Sequence, residues 1–206
     1  MKKSILRYLI LFLLLHFGLA AMAISVGEVI SRSAAKANGA KSISCVYSLK
    51  GAGGNTRGSL LTSGNKFQIS SGAGEIWYDG RNMWTYNPSS KETTLTEPTQ
   101  TEVMEVNPLN YLKSYKSLFN LANSKRGVKG KYVILLTPKN KKFWVRQVEV
   151  VIDPKSFDPS AFIITAKDGR ESRLDVISLK YGKVLPNSSF VYPSGKYKNV
   201  EIIDLR

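Results

Sequence analysis

The sequence predicts a mainly β (α+β) fold, in which an antiparallel sheet, sandwich or barrel is interrupted once by helix. Three observations carry that prediction. From residue 42 onward, short β-type segments recur at roughly ten-residue spacing, the pattern of antiparallel all-β architectures. Gly-rich or Asx-Gly turns separate them: Gly51-Ala52-Gly53-Gly54-Asn55, Ser63-Gly64-Asn65, Asp79-Gly80 and Asp168-Gly169. A helical pattern occurs only at the start of this region and in one island near its middle.

The first element is a leader. Lys2, Lys3 and Arg7 precede an apolar run from Leu9 to Leu15 that continues past His16 to Ala21, and the segment ends in Ala21-Met22-Ala23. A positive start, a short greasy middle and a small-x-small end make a secretory signal peptide over 1–23. The apolar stretch is shorter than the roughly 20 residues of a spanning helix. Residues 24–206 are then expected to form a single domain, soluble and outside the cytosol.

Val26, Val29, Ile30, Ala34 and Ala37 recur at helical spacing, and Asn38-Gly39 ends that helix. Strands are expected over 42–50, 56–62, 65–71, 74–79, 82–87 and 91–97. A second set follows over 131–138, 142–152, 160–167, 172–181, 188–192 and 199–205. Between the sets lies the island, over 107–122. Pro108 starts it, Leu109, Leu112, Leu118, Phe119 and Ala122 give it an apolar side, and Lys125-Arg126-Gly127 closes it.

Residue counts remove several chemistries. The one cysteine, Cys45, cannot form an intramolecular disulfide, and it sits in an apolar strand-like run that suits a buried small hydrophobe. The one histidine, His16, falls in the leader. A Ser-His-Asp triad, a Cys-His pair and a His-ligated metal site are thereby excluded from the mature chain. The carboxylates Glu75, Asp79, Glu97, Glu102, Asp153, Asp158, Asp168 and Asp175 fall at turns or on polar faces and read as solvated surface. No enzyme, metal or cofactor is expected.

Net charge is +15, and since Lys2, Lys3 and Arg7 belong to the leader, the mature chain retains +12. Such a field attracts anionic surfaces. Without an RNA- or DNA-binding signature nucleic acid is not the expected partner, and transient contact with a membrane surface is.

Period-two alternation gives the strands greasy faces. Trp144, Val148, Val150 and Ile152 share one face of their strand, and Phe162, Ile164 and Ala166 alternate in the next. Tyr132, Ile134 and Leu136 line one face of a third, with Val133 and Leu135 on the other. Periodicity alone does not say which of those two faces is concave, nor whether the space under the helices is a cavity or a filled core.

Trp77-Tyr78-Asp79-Gly80-Arg81-Asn82-Met83-Trp84-Thr85-Tyr86-Asn87-Pro88 resembles the S-D-G-K-x-L-W-x-Y-x-P hairpin of the outer-membrane lipoprotein carrier proteins, the LolA-type periplasmic chaperones. Collinear pieces extend the resemblance across nearly the whole mature chain: Gly58-Ser59-Leu60-Leu61, Asn65-Lys66-Phe67-Gln68-Ile69, Asn107-Pro108-Leu109, Tyr132 to Pro138, Phe190-Val191-Tyr192-Pro193-Ser194-Gly195 and Val200 to Asp204. It implies an unclosed antiparallel β-barrel, a half-barrel, with a helical lid over a hydrophobic cavity. It also implies a carrier of lipoprotein acyl chains that loads from an inner-membrane ABC-type lipoprotein releasing complex and unloads to an outer-membrane acceptor, as a monomer.

On that reading the acyl-chain contacts are Phe67, Ile69, Trp77, Trp84 and Tyr86 from the hairpin region and Leu109, Leu112 and Phe119 from the lid. The later strands add Val133, Leu135, Trp144, Val148, Phe162 and Ile164. One departure stands out. The family arginine that ties sheet to lid would fall near Ser63, and the nearest arginine, Arg57, lies on the preceding segment. Two other readings share the sequence: an envelope sensor of the same fold, for which the chain offers no second domain after its last expected strand, and a module whose positive surface takes up lipopolysaccharide or other anionic envelope components.

Overall fold

The computed structural model describes residues 24–51 and 54–206, so the expected leader lies outside the described residues. Helix α1 spans Val26–Gly39. The Ser25 hydroxyl caps it by accepting from the Glu28 N–H at 3.1 Å, and Glu28 in the first turn and Lys36 in the last complement the helix dipole. Its buried side is Val29, Ile30, Ser33, Ala34 and Ala37.

A meander of six strands follows: β1 Ser42–Gly51, β2 Gly54–Ser63, β3 Lys66–Ser71, β4 Gly74–Tyr78, β5 Met83–Asn87 and β6 Glu92–Thr96. Two helices then cross the sheet, α2 Gln100–Val106 and α3 Leu109–Leu118. The chain returns to strand in β7 Phe119–Asn123, β8 Tyr132–Pro138, β9 Val145–Ile152, β10 Pro159–Ala166 and β11 Glu171–Gly182, and ends in β12 Glu201–Asp204. All twelve strands form one sheet, in the order β12-β6-β5-β4-β3-β2-β1-β11-β10-β9-β8-β7. Every pairing is antiparallel except β12 with β6. The edges β12 and β7 do not meet, so the sheet is an unclosed, mostly antiparallel half-barrel with three helices, the fold class the sequence predicts.

Three boundaries differ from the expectation, each for a physical reason. The helical island stops at Leu118, because residues 119–123 find a better partner in β8, pairing from Phe119 with Pro138 to Asn123 with Ile134. Tertiary pairing overrides a short ambiguous apolar run. A helix stands at 100–106 where none was expected. Its signal is a capping box, in which the Thr99 hydroxyl and the Glu102 carboxylate cap each other's backbone N–H groups. The expected strand at 188–192 is instead a single 3-10 turn over Asn187–Phe190, flanked by Pro186 and Pro193, which cannot donate to a ladder.

The core lies between the concave face of the sheet and α1 and α3. It is built from Val29 and Ile30, Tyr111, Leu112 and Tyr115, and the inward positions of β1–β3 and β8–β11, among them Leu60, Phe67, Ile134, Leu136, Val150 and Phe162. A smaller cluster of Val133, Val151, Ala161 and Ile163 sits on the convex face under Val128. That face also carries Glu149, 4% exposed, whose carboxylate accepts from Arg126 Nε at 2.7 Å.

Candidate functional site

The concave face is where apolar side chains meet the helices that cover the sheet. Tyr47 and Leu49 on β1, Leu60 on β2, Ile69 on β3, Ile164 on β10 and Leu174 on β11 all point inward. Gly58 makes room for the Tyr47 ring: a Cβ there would lie 2.6 Å from that ring and 2.8 Å from the Ser70 carbonyl. Above these residues pass Glu105, Val106 and Pro108, the joint between α2 and α3. Between sheet and joint remains an apolar void of about 120 Å³.

The two covering helices are held unequally. Leu109, Tyr111, Leu112 and Tyr115 of α3 are buried in the core. Helix α2 buries one side chain only, Met104, while Val103 and Val106 are partly covered. Two further hollows flank it. One of about 430 Å³ lies between Val103, Met104, Asn110 and Lys113 and the β2–β3 turn. The other, about 280 Å³, lies between Met104, Leu118 and Phe143. A short helix with one buried anchor and hollows on both sides is the least stably held part of the cover.

Lys113 on α3 donates from Nζ to the Gly64 carbonyl at 2.7 Å, tying the cover to the β2–β3 turn. Burial pushes the pKa of this ammonium down. The basic tie is thus at the place the sequence pointed to, beside Ser63, but its side chain comes from the helix rather than from the sheet. Arg57 is exposed. Three donors in the interior have no partner among the described residues, the Ser33 hydroxyl of α1, the Tyr111 hydroxyl and Trp144 Nε1, the last two on rings whose centroids are 6.3 Å apart. Burial, with the nearby Glu105 charge, raises the Tyr111 pKa.

Nine of the residues singled out from sequence belong to this interior. Phe67, Ile69, Leu109, Leu112, Phe119, Val148 and Phe162 are buried in it, and Trp144 and Ile164 pack against it. Val145 and Val148 both point inward because β9 is bulged near its start, where the partner register skips from Gln147 to Val145. Trp144 therefore reaches the interior from just before the strand.

The other five face away. Trp77 packs on its convex side against Tyr192 and Tyr197, with ring centroids 5.5 and 5.7 Å away. Trp84 pairs in register with Trp77, and the Tyr86 ring lies tilted 4.6 Å from that of Tyr197, so both share that face. The inward residues of this hairpin are Ile76, Tyr78 and Met83. Val133 lies in the convex cluster, and Leu135, paired with Glu149, shares its face; Ile134 and Leu136 take the interior. The alternation was legible, but a period of two is blind to which face bends inward. Sequence reasoning missed Tyr47, Leu49, Leu60, Leu174 and Met104. Their faces follow from alternation once the sheet's curvature is known.

Among the described residues, no three of His, Cys, Asp and Glu come together where they could hold a metal ion, and no helix is long and apolar enough to cross a membrane. The architecture is an open sheet with an apolar concave face under helices of unequal hold. The family described as outer membrane lipoprotein carrier protein LolA matches residues 19–170. The chain belongs to that LolA-like family, a periplasmic one. No curated protein sequence matches it. Among solved structures, it is similar to an uncharacterized conserved protein from Thermus thermophilus, at 11% identity and TM-score 0.57, over 88% of this chain and 99% of that one. It is also similar to a LolA superfamily protein from Nitrosomonas europaea, at 13% identity and TM-score 0.43, over 82% of this chain and 99% of that one. At 11% identity the likeness to the Thermus thermophilus protein is one of fold alone.

Proposed function

We propose that this chain is an exported periplasmic carrier that holds lipoprotein acyl chains between its concave face and its helical cover. It would receive them at an inner-membrane ABC-type releasing complex and deliver them to an outer-membrane acceptor, without chemistry of its own. Membership of the LolA-like family supports the reading. The single observation that carries it is the apolar void beneath Val106 and Pro108, roofed by a helix with one buried anchor.

Magnitudes favour a cover that moves. The void of about 120 Å³ is smaller than a cavity of about 150 Å³ that accepts benzene, so an acyl chain needs the cover displaced. Withdrawing Met104, Val103 and Val106 from their contacts costs about 1.5–3 kcal/mol for each well-buried side chain and less for the others. Each methylene sheltered from water returns about 0.8 kcal/mol. A chain of ordinary membrane length repays the opening, and the surplus is moderate enough to permit release.

The test is binding of a fluorescent fatty acid and of a triacylated lipopeptide, with native mass spectrometry of protein recovered from a periplasmic fraction. Leu49→Trp should fill the void and lower affinity at least tenfold while the circular dichroism spectrum is retained. Ile69→Glu should do the same by charging the wall. Wild-type protein that takes up neither probe, or a folded Leu49→Trp that binds both normally, would sink the reading.

A further inference from the structure

The cations of this chain are divided unequally between the two ends of the sheet. At one end are the β8–β9 and β10–β11 turns, 139–144 and 167–170. Residues 139–146 and 167–171 hold Lys139, Lys141, Lys142, Arg146, Lys167 and Arg170 against two carboxylates, Asp168 and Glu171. Both carboxylates are already taken, Asp168 2.6 Å from Arg170 Nε and Glu171 2.6 Å from Arg126 Nη2. Lys141, Arg146 and Lys167 line one open groove of about 380 Å³ with Thr137, Pro138 and Asn140. All three are exposed, and none has a carboxylate within ion-pair distance among the described residues.

The opposite end of the same strands is arranged otherwise. There Asp153 pairs with Lys131 at 2.6 Å, and Asp158 pairs with Lys36. Lys131 and two backbone N–H groups hold the Asp153 carboxyl well below the usual carboxylate range.

The uncompensated end is also the one toward which the void lies. Its lining residues Leu49 and Ile164 sit two residues from the ends of β1 and β10, and Leu174 sits three from the start of β11. Phe143 and Trp144 close the interior beneath the cations, both half-buried against the core, with Phe143 5.5 Å from the Phe119 ring. Exposed, unpaired cations suit the headgroup layer of a bilayer, where charge meets anionic lipid. Attraction from several clustered cations acts over about a Debye length, roughly 8 Å at physiological salt, so it orients the molecule before contact.

We propose that this end, with Lys141, Arg146 and Lys167 at its centre, docks on an anionic phospholipid bilayer and turns the end of the sheet nearest the void toward the lipid. What the docking is used for rests on the carrier reading; the docking itself does not.

The experiment is co-sedimentation of the full mature chain with vesicles of phosphatidylcholine alone and with phosphatidylglycerol added. Lys141→Glu/Arg146→Glu/Lys167→Glu is compared with Lys129→Glu/Lys155→Glu/Lys183→Glu, which makes the same charge change at the opposite end. Binding should require phosphatidylglycerol, weaken with salt, and fall at least tenfold in the first variant but less than threefold in the second. Equal losses in both variants would mean diffuse charge and overturn the proposal. So would equal binding to neutral vesicles, or release from the anionic vesicle by inorganic phosphate at constant ionic strength, which would mark a soluble-anion site. Both variants should load the fluorescent fatty acid as wild type does. Loss of that loading in wild type, with vesicle binding intact, would remove the carrier reading and leave the docking surface standing.

Discussion

Lys113 of α3 and Gly64 of the β2–β3 turn are joined by a 2.7 Å hydrogen bond from Nζ to the backbone carbonyl, a polar tie between the cover and the β2–β3 turn. The ammonium is desolvated enough that its pKa is lowered, so part of what the bond gains is spent on burying charge. Hydrogen bonds from charged donors contribute about 1.5–3 kcal/mol before that offset. Lys113→Met keeps the stem and removes the tie. It should leave global stability within about 1 kcal/mol and raise the rate of fatty-acid uptake several-fold, read by stopped-flow fluorescence. An unchanged uptake rate would show that the tie does not hold the cover shut.

Met104 is the one buried side chain of α2. Removing a fully packed methionine costs about 2–5 kcal/mol, but here the loss falls on a local opening rather than on the whole fold. Met104→Ala should therefore speed amide hydrogen exchange across 100–106 by at least tenfold while the melting temperature moves little. A large drop in melting temperature with no local change in exchange would show that α2 belongs to the cooperative core.

The strands and turns were legible because each carries its own local signal, alternation and Asx-Gly. The convexity of the sheet was not, since it is a property of twelve strands together. Sequence reasoning accordingly places Trp77 and Val133 in the interior although both lie outside it, whereas Phe67, Leu112 and Phe162 do lie within. Helix α2 was missed because it is short and nearly without an apolar stripe, and its start was marked only by Thr99 and Glu102. The void was invisible for a different reason. Whether facing side chains fill a space depends on sub-ångström packing, which periodicity does not encode.

The convex position of Trp77 separates two roles that the sequence had merged. The ring is 2% exposed and sits edge-on to Tyr192 and Tyr197 of the segment that leads to β12. Glu75 accepts from Tyr197 Oη and, at 3.1 Å, from Lys196 Nζ, holding the segment down beside it. Trp77→Ala should cost about 3–5 kcal/mol of stability yet leave fatty-acid affinity unchanged in protein shown to be folded. Affinity that falls in the folded variant would return Trp77 to the binding surface.

Cys45 links the sheet's centre to pH. It lies on β1, 2% exposed, and burial pushes its thiol pKa up to about 11 from an ordinary value of 9.0. The unfolded chain loses this proton first, so between those two values the native state binds more protons and stability falls as pH rises. Two units correspond to about 2–3 kcal/mol. Cys45→Ala should remove that slope, adding only a constant cavity penalty at neutral pH. Urea unfolding at pH 8 and pH 10.5 checks this: the wild type should lose more stability over that interval than the variant, by about 1–2 kcal/mol. Equal losses would mean that the thiol ionises as readily in the fold as out of it, and that the centre of the sheet admits water.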